Sequence, residues 1–169
     1  MDEIDIVAYD AGWPAAYEAE RTAVQAALHA IEVVAIAHIG STAVPGLAAK
    51  PVIDIAVTVR SVHAARERVV PALAAVGYQF WEDNPDPEHL FFVKGLPPRA
   101  SRRTHHLHVV EPGPWFDDSV RFRDILRRDP TAARSYEALK RDLAQRHGSD
   151  REAYTEAKST FVAVILSRY

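Results

Sequence analysis

An apolar, β-branched segment at residues 52–59, VIDIAVTV, constrains the fold more than any other part of the sequence. Val, Ile and Thr favour extended backbone, so the segment is predicted to form a strand. The same segment contains one carboxylate, Asp54. A charge within an apolar strand is costly unless it is paired, hydrogen-bonded or bound to a cation. The chain must therefore build a sheet in which Asp54 is given a partner.

The residues on either side of this segment predict a helix, a strand and a second helix. Apolar residues recur at helical spacing after Pro14, and residues 31–39 are β-branched and alternate weakly, as in a strand that ends at Gly40. A second helix follows the apolar segment and ends at Gly77. It contains Pro71, which should kink or split it.

Three short strands and three helices are predicted for the remainder. The strands cover residues 78–82, 90–93 and 105–110. Asp129 is placed as the N-cap of the second of the three helices, and Ser149 and Glu152 have capping-box spacing at the start of the third. This order predicts an α+β or α/β domain, with a mixed β-sheet flanked by helices and a helical C-terminal third.

Composition limits the class of protein further. The chain of 169 residues is 48% hydrophobic and 25% charged, which fits one domain over residues 1–169 and excludes a low-complexity chain. It has no cysteine, so disulfide scaffolds, thiolate metal sites and cysteine nucleophiles are excluded. No apolar run approaches the roughly 18 residues of a membrane span. The net charge of −3 is too balanced to predict duplex nucleic acid as a partner. We expect a cytoplasmic protein that does not bind membranes.

The residues after the first predicted strand are Gly40, Ser41 and Thr42. They place a glycine and two hydroxyls at a turn, where unpaired backbone N–H groups can hold a phosphate. Glycine also allows a ligand to approach the main chain closely. The spacing is neither that of a P-loop nor that of a dinucleotide fingerprint. The turn is therefore a candidate phosphate site, with an ordinary Ser/Thr turn as the alternative.

Charge is unevenly distributed between two predicted loops. Residues 94–103 contain four basic residues and no acid, whereas residues 82–88 contain four acids and no base. Both patterns are typical of solvated loops, and the alternative is that the basic loop contacts an anionic ligand. In that interpretation Arg102, Arg103 and also Lys50 supply the positive charge for a phosphate at the turn.

Two histidines, His106 and His108, lie on one face of the last predicted strand, whereas Glu111 faces the other side. A histidine on a strand is usually a packing residue, but two imidazoles on one face indicate a metal or phosphate contact. If this strand pairs with residues 52–59, Asp54 joins the two histidines as a metal ligand. The alternative is that Asp54 is a structural residue satisfied by backbone donors.

Several of these segments together resemble the GrpB family, a group also found fused behind dephospho-CoA kinase in some bacteria. The segments are HIGSTAVPGLAAKPVIDI, THHLHVV, FRDILRRDPTAARSYEALK and YTEAKSTF, and the resemblance runs from about residue 5 to the C-terminus. Members of the family look like the nucleotidyltransferase superfamily. That superfamily has a Gly-Ser turn, two acids one residue apart on the next strand, and a third acid on a later strand. Gly40 and Ser41 match the turn, and Asp54 matches the first acid, which implies a catalytic role for Asp54.

The sequence departs from that pattern in two places. Ala56 stands where the second acid belongs, and the later strand has His106 and His108 in place of a clear carboxylate. In the superfamily the acids hold two Mg²⁺ ions that activate the attacking hydroxyl. One carboxylate with two imidazoles suits a single softer ion, such as Zn²⁺ or Mn²⁺, better than two hard ones. A divalent metal, Mg²⁺, Mn²⁺ or Zn²⁺, is the cofactor that the resemblance implies.

The resemblance implies two alternative functions. The first is a metal-dependent transfer of a nucleotidyl or phosphoryl group to a small acceptor. The second is a non-catalytic module that binds a nucleotide or coenzyme and acts with a partner enzyme such as dephospho-CoA kinase. Lys158 lies in the family's terminal motif, and it is predicted either to be solvated or to turn inward toward the phosphate at the turn.

Overall fold

A computed structural model describes residues 4–98, 100–148 and 150–169. Arg99 of the basic loop and Ser149 of the predicted capping box lie outside the described residues. The strands are β1 (Val33–Ile39), β2 (Ile53–Val59), β3 (Tyr78–Phe80), β4 (Leu90–Lys94) and β5 (His105–Val110). The helices are α1 (Trp13–Ala27), α2 (Val62–Ala75), α3 (Pro114–Arg128), α4 (Pro130–His147) and α5 (Arg151–Arg168). A short 3₁₀ turn, Ser41–Ala43, connects β1 to the segment before β2.

The strands form one mixed sheet in the order β1-β2-β5-β4-β3. β2 and β5 are parallel, and the other three neighbouring pairs are antiparallel. The predicted α+β class and the predicted order of helices and strands are both confirmed. None of the described helices is long and apolar enough to cross a membrane.

The two faces of the sheet have different coverings. Successive side chains of a strand alternate between faces, so Ile55 and Val57 of β2 lie opposite to Asp54 and Ala56. Ile55 and Val57 are fully buried in the main core, which is formed with α1 and α2. On the Asp54 face, α3, α4 and α5 pack on one another around a second apolar cluster that includes Ile125, a residue of α3. This arrangement leaves room between the helices and the central strands.

The boundaries differ from the predictions in a few places. Of the two outcomes predicted for Pro71, a kink or a split of its helix, the split is wrong, because α2 continues through the proline from Val62 to Ala75. Val69 and Leu73 flank the proline and are fully buried, and packing of this face overrides the poor helical propensity of proline. At the start of α5, Asp150 is the N-cap, and its side chain accepts a hydrogen bond from the Ala153 amide at 3.0 Å.

We expect the substitution Pro71→Ala to stabilise the protein. Pro71 is exposed in the interior of α2 and has no N–H to donate within the helix. Alanine restores that donor and has a higher helix propensity, which stabilises the folded state. The unfolded chain also gains entropy, which offsets part of this effect. The free energy of unfolding should therefore rise by about 1 to 2 kcal/mol. Urea denaturation measures the change. Pro130→Ala, at the favourable first position of α4, is the control and should give no gain. A lower stability of Pro71→Ala would contradict the prediction.

Candidate functional site

A cavity of about 740 Å³ opens on the Asp54 face, between the central strands and helices α4 and α5. It brings together all but one of the site residues that the sequence predicts: Gly40, Ser41, Thr42, Lys50, Asp54, Arg103, His106, His108 and Lys158. The exception is Arg102, which is exposed and lies outside the lining. Its carbonyl packs against Gly95, where an added Cβ would lie only 2.4 Å away. Arg102 therefore does not line this cavity, and its contact with a phosphate stays a prediction.

Gly40 is required by its close approach to Asp54. Its φ of 71° lies in the left-handed region, and a Cβ placed there would come within 2.6 Å of Asp54 Oδ2. The chain then enters the 3₁₀ turn. Among the described residues, the amides of Ser41 and Thr42 donate to no protein acceptor. The turn thus has the unpaired donors that a phosphate site needs.

The hydroxyl of Thr42 has a structural role. It lies 2.9 Å from His38 Nε2 and donates to the Val52 carbonyl at 3.4 Å, so it holds the turn against the strands. Burial lowers the pKa of His38 to about 4, so the imidazole is neutral and donates to Thr42. Its ring stacks on Tyr17 of α1, with the centroids 4.5 Å apart. Only the main chain of Thr42 therefore remains available to a ligand.

Asp54 and His106 form a hydrogen-bonded pair at the floor of the cavity. They are partners in the β2–β5 register, and His106 Nδ1 lies 3.0 Å from Asp54 Oδ1. Burial alone would raise the pKa of Asp54, but the His106 hydrogen bond and the nearby charges, including Lys50, lower it to about 2. The carboxylate is therefore ionised, and Nδ1 donates to it. His106 Nε2 is buried and has no hydrogen-bond partner among the described residues.

His108 is occupied by another contact. Its Nδ1 lies 2.8 Å from His89 Nε2, and its ring packs against Phe91 and Trp115. Burial lowers the pKa of His108 to about 3, so the ring is neutral. In the described part of the chain, no group of three or more His, Asp or Glu side chains has the geometry to hold a metal ion. A metal at Asp54, His106 and His108 does not fit this arrangement, because His106 Nδ1 is hydrogen-bonded to Asp54 and His108 Nδ1 is in contact with His89.

Glu111 lies on the opposite side of the sheet, as its position in the strand predicts. Its Oε1 accepts a hydrogen bond of 2.9 Å from the Val62 amide at the start of α2. This carboxylate is therefore used as a helix cap and is absent from the cavity lining. It supplies no second acid for Asp54.

Lysine side chains from three parts of the chain converge at one end of the cavity. Lys50 and Lys158 place their Nζ atoms 5.1 and 4.3 Å from the ring centroid of Tyr154. Lys140 lies 5.0 Å from the Tyr136 ring and donates to a backbone carbonyl. We call these three lysines, with the Gly40–Thr42 turn, the lysine end of the cavity. Lys140 and both tyrosines were not predicted as site residues, although Lys140 and Lys158 each follow a tyrosine by four residues on one helix face.

Burial weakens the positive charge of two of these lysines. Desolvation, followed by repulsion from Lys158, lowers the pKa of Lys140 to about 7. Desolvation, followed by repulsion from Lys50, lowers the pKa of Lys158 to about 8. Cations that are buried together in this way are stabilised by a bound anion.

The fold and cavity define the class as an α+β fold, in which two helices cover one face of a mixed sheet and a cavity lined by charged and aromatic side chains lies on the other. The GrpB protein family model matches residues 3–168, and the chain belongs to this family. A UPF0157 protein of Pseudomonas aeruginosa is 47% identical over 167 residues, which are 99% of this chain and 68% of that protein. The crystal structure of the conserved protein GrpB from Enterococcus faecalis has a TM-score of 0.82 and 30% identity, and the match covers 97% of this chain and 96% of that one.

A dephospho-CoA kinase of Mycolicibacterium paratuberculosis matches a smaller part of this chain. It is 38% identical over 143 residues, which are 72% of this chain but only 35% of the kinase. The similarity is therefore to one part of the kinase, and it does not carry the activity of that whole protein to this chain.

Gly40→Ala should destabilise the protein more than Gly46→Ala. Both glycines have positive φ, 71° and 79°, but a Cβ at Gly46 meets nothing within 4 Å. Gly46→Ala is therefore the control, and its loss of unfolding free energy measures the backbone strain alone. The additional loss of unfolding free energy in Gly40→Ala measures the clash with Asp54. We expect this additional loss to be about 1 to 3 kcal/mol in the free energy of unfolding, from urea denaturation. Equal losses in the two variants would show that Asp54 moves away freely.

The pH dependence of stability should contain a contribution from Asp54. Its pKa falls from an ordinary value of 3.8 to about 2 on folding, so the contribution is present above about pH 4 and is lost as the pH falls toward 2. The shift corresponds to a stabilisation on the order of 2 kcal/mol. Asp54→Asn removes this titration and leaves the other carboxylates in place. The difference in unfolding free energy between wild type and Asp54→Asn should therefore change by that amount between pH 5 and pH 2, and a constant difference would contradict it.

Proposed function

We propose that the cavity binds a small phosphate-bearing ligand, such as a nucleotide or a coenzyme, with its phosphate at the lysine end. The observation that carries this proposal is that Lys50, Lys140 and Lys158 line the same cavity as a turn whose Ser41 and Thr42 amides donate to no acceptor among the described residues. Backbone N–H groups and ammonium groups are the donors that hold phosphate in proteins.

The distribution of acids in the cavity supports the same proposal. Asp54 is ionised but is hydrogen-bonded to His106. The other acids that line the cavity are Asp83, Glu152 and Glu156, and all three are exposed residues. Exposed carboxylates are screened by water and neutralise buried ammonium groups only weakly. An anionic ligand beside the buried Lys140 and Lys158 would therefore be favourable.

A second candidate is transfer of a nucleotidyl or phosphoryl group from that ligand to a small acceptor. The observation in its favour is the Asp54–His106 pair. The ionised carboxylate of Asp54 lies beside Gly40 of the turn and accepts a hydrogen bond from His106 Nδ1, which fixes the orientation of the imidazole. Incubation with ATP and a panel of small alcohols, with and without Mg²⁺, Mn²⁺ or Zn²⁺, tests this by ³¹P NMR. Turnover that is lost in Asp54→Asn supports transfer, and absence of turnover favours binding alone.

The non-catalytic alternative is a ligand-binding module that acts with a partner enzyme. The match to a dephospho-CoA kinase supports it, because the match covers only 35% of that protein and leaves most of its length for the kinase activity that its name states. Calorimetric titration with dephospho-CoA and with coenzyme A tests this alternative. Tighter binding of either than of ATP would favour a coenzyme ligand.

Lys158→Met should weaken phosphate binding while leaving the fold intact. The Lys158 ammonium group is a point charge at the lysine end, and losing a charged hydrogen-bond partner costs about 1 to 3 kcal/mol of binding free energy. Calorimetric titration with pyrophosphate and with ATP measures this loss. Methionine keeps the apolar stem, so the melting temperature should change little.

Arg168→Met is the control for that experiment, because it removes one positive charge from the same helix at an exposed residue outside the cavity lining. It should leave the affinity unchanged. Equal affinity of wild type and Lys158→Met for a ligand that wild type binds would reject a role for Lys158. No binding of pyrophosphate or ATP by wild type would overturn the proposed function.

A further inference from the structure

Aromatic rings line the side of the cavity nearest β4, which β2 and β5 separate from β1 and the Gly40–Thr42 turn. Trp81, His89 and Phe91 line it, and we call these three residues the aromatic end. His89 and Phe91 are held in place by ring contacts with His108, with centroids 5.0 and 4.9 Å apart. The rings of His89 and Phe91 therefore form a packed wall at the aromatic end, whereas charged groups dominate the lysine end.

Trp81 is the unusual member of this wall. The residue is 37% exposed, and among the large exposed apolar residues of the described chain it alone lines the cavity. The Arg103 guanidinium lies over its ring, 5.1 Å from the centroid. An indole has a large flat surface whose exposure to water is unfavourable, and it stacks well on other planar rings. Its position on a cavity wall therefore points to a planar ligand group.

The charged residues that line the cavity favour one orientation of a bound ligand. The rim beside Trp81 includes Asp83, which belongs to the acidic loop at residues 82–88. The Arg103 guanidinium over Trp81 offsets this carboxylate locally, whereas three ammonium groups lie at the lysine end, so the lysine end is the more favourable place for a phosphate. A ligand with an anionic end and an aromatic end therefore fits in one orientation. The volume of about 740 Å³ is within the range of cavities that enclose molecules larger than a phosphate.

We propose that the aromatic end is a stacking subsite for the heteroaromatic ring of a nucleotide-class ligand, with Trp81 as the stacking residue and the phosphates at the lysine end. This inference rests on the proposed function and narrows its ligand class. It predicts that a phosphate ligand with an aromatic ring binds more tightly than a sugar phosphate or inorganic pyrophosphate. Stacking on an aromatic face accepts any base, so it defines the ring and leaves the identity of the base open.

The test compares two ligands on three proteins by calorimetric titration. ADP carries a ring and pyrophosphate does not, and the proteins are wild type, Trp81→Leu and Trp81→Phe. We expect Trp81→Leu to lower the ADP affinity by roughly 5- to 150-fold, the range for losing one stacked base. Trp81→Phe keeps a planar ring and should retain most of the ADP affinity. The pyrophosphate affinity should be the same in all three proteins.

The outcomes separate this inference from the proposed function. If wild type binds pyrophosphate and ADP equally well, or if Trp81→Leu binds ADP as wild type does, the stacking subsite is rejected and phosphate binding stands. If Trp81→Leu loses affinity for pyrophosphate as well, the residue acts through the fold and the subsite is also rejected. If wild type binds neither ligand, the proposed function fails, and the subsite fails with it.

Discussion

The parallel pairing of β2 with β5 determines where the cavity forms. Parallel strands begin at the same edge of a sheet, so the segments that precede β2 and β5 meet at that edge. One segment contains Lys50 and the other contains Arg103, and both residues line the cavity. The same register places Asp54 beside His106, so the one carboxylate of an apolar strand receives its hydrogen bond there. In an antiparallel pair, the segments that contain Lys50 and Arg103 would lie at opposite ends of the strands.

The helical third completes the site with a repeated pattern. α4 carries Tyr136 and Lys140, and α5 carries Tyr154 and Lys158, each pair four residues apart and on one helix face. Each ammonium group lies over a tyrosine ring, which replaces part of the hydration that burial removes. The helices therefore hold two ammonium groups in the cavity wall, and no carboxylate of the described residues forms an ion pair with either of them.

Periodicity in the sequence was sufficient to predict the elements, their order and the face of Glu111, because the spacing of apolar residues in a strand or helix depends only on neighbouring residues in the sequence. The continuous α2 was not predictable, since packing of Val69 and Leu73 outweighs a local rule about proline. The place of Lys140 in the site was also missed, because it depends on how two helices cross the sheet. His108 shares a face with His106, as predicted, but its pairing with His89 depends on a contact between separate strands and loops.

The lowered pKa values of Lys140 and Lys158 connect the cavity to the proton concentration of its surroundings. Both amines are partly neutral near pH 7 to 8, and an anion bound between them would raise both pKa values. Binding would then take up protons from the solvent. By thermodynamic linkage, occupancy of the cavity would decrease as the medium becomes more alkaline, even where the ligand concentration is constant. Calorimetry in buffers with different ionisation enthalpies would count the protons exchanged.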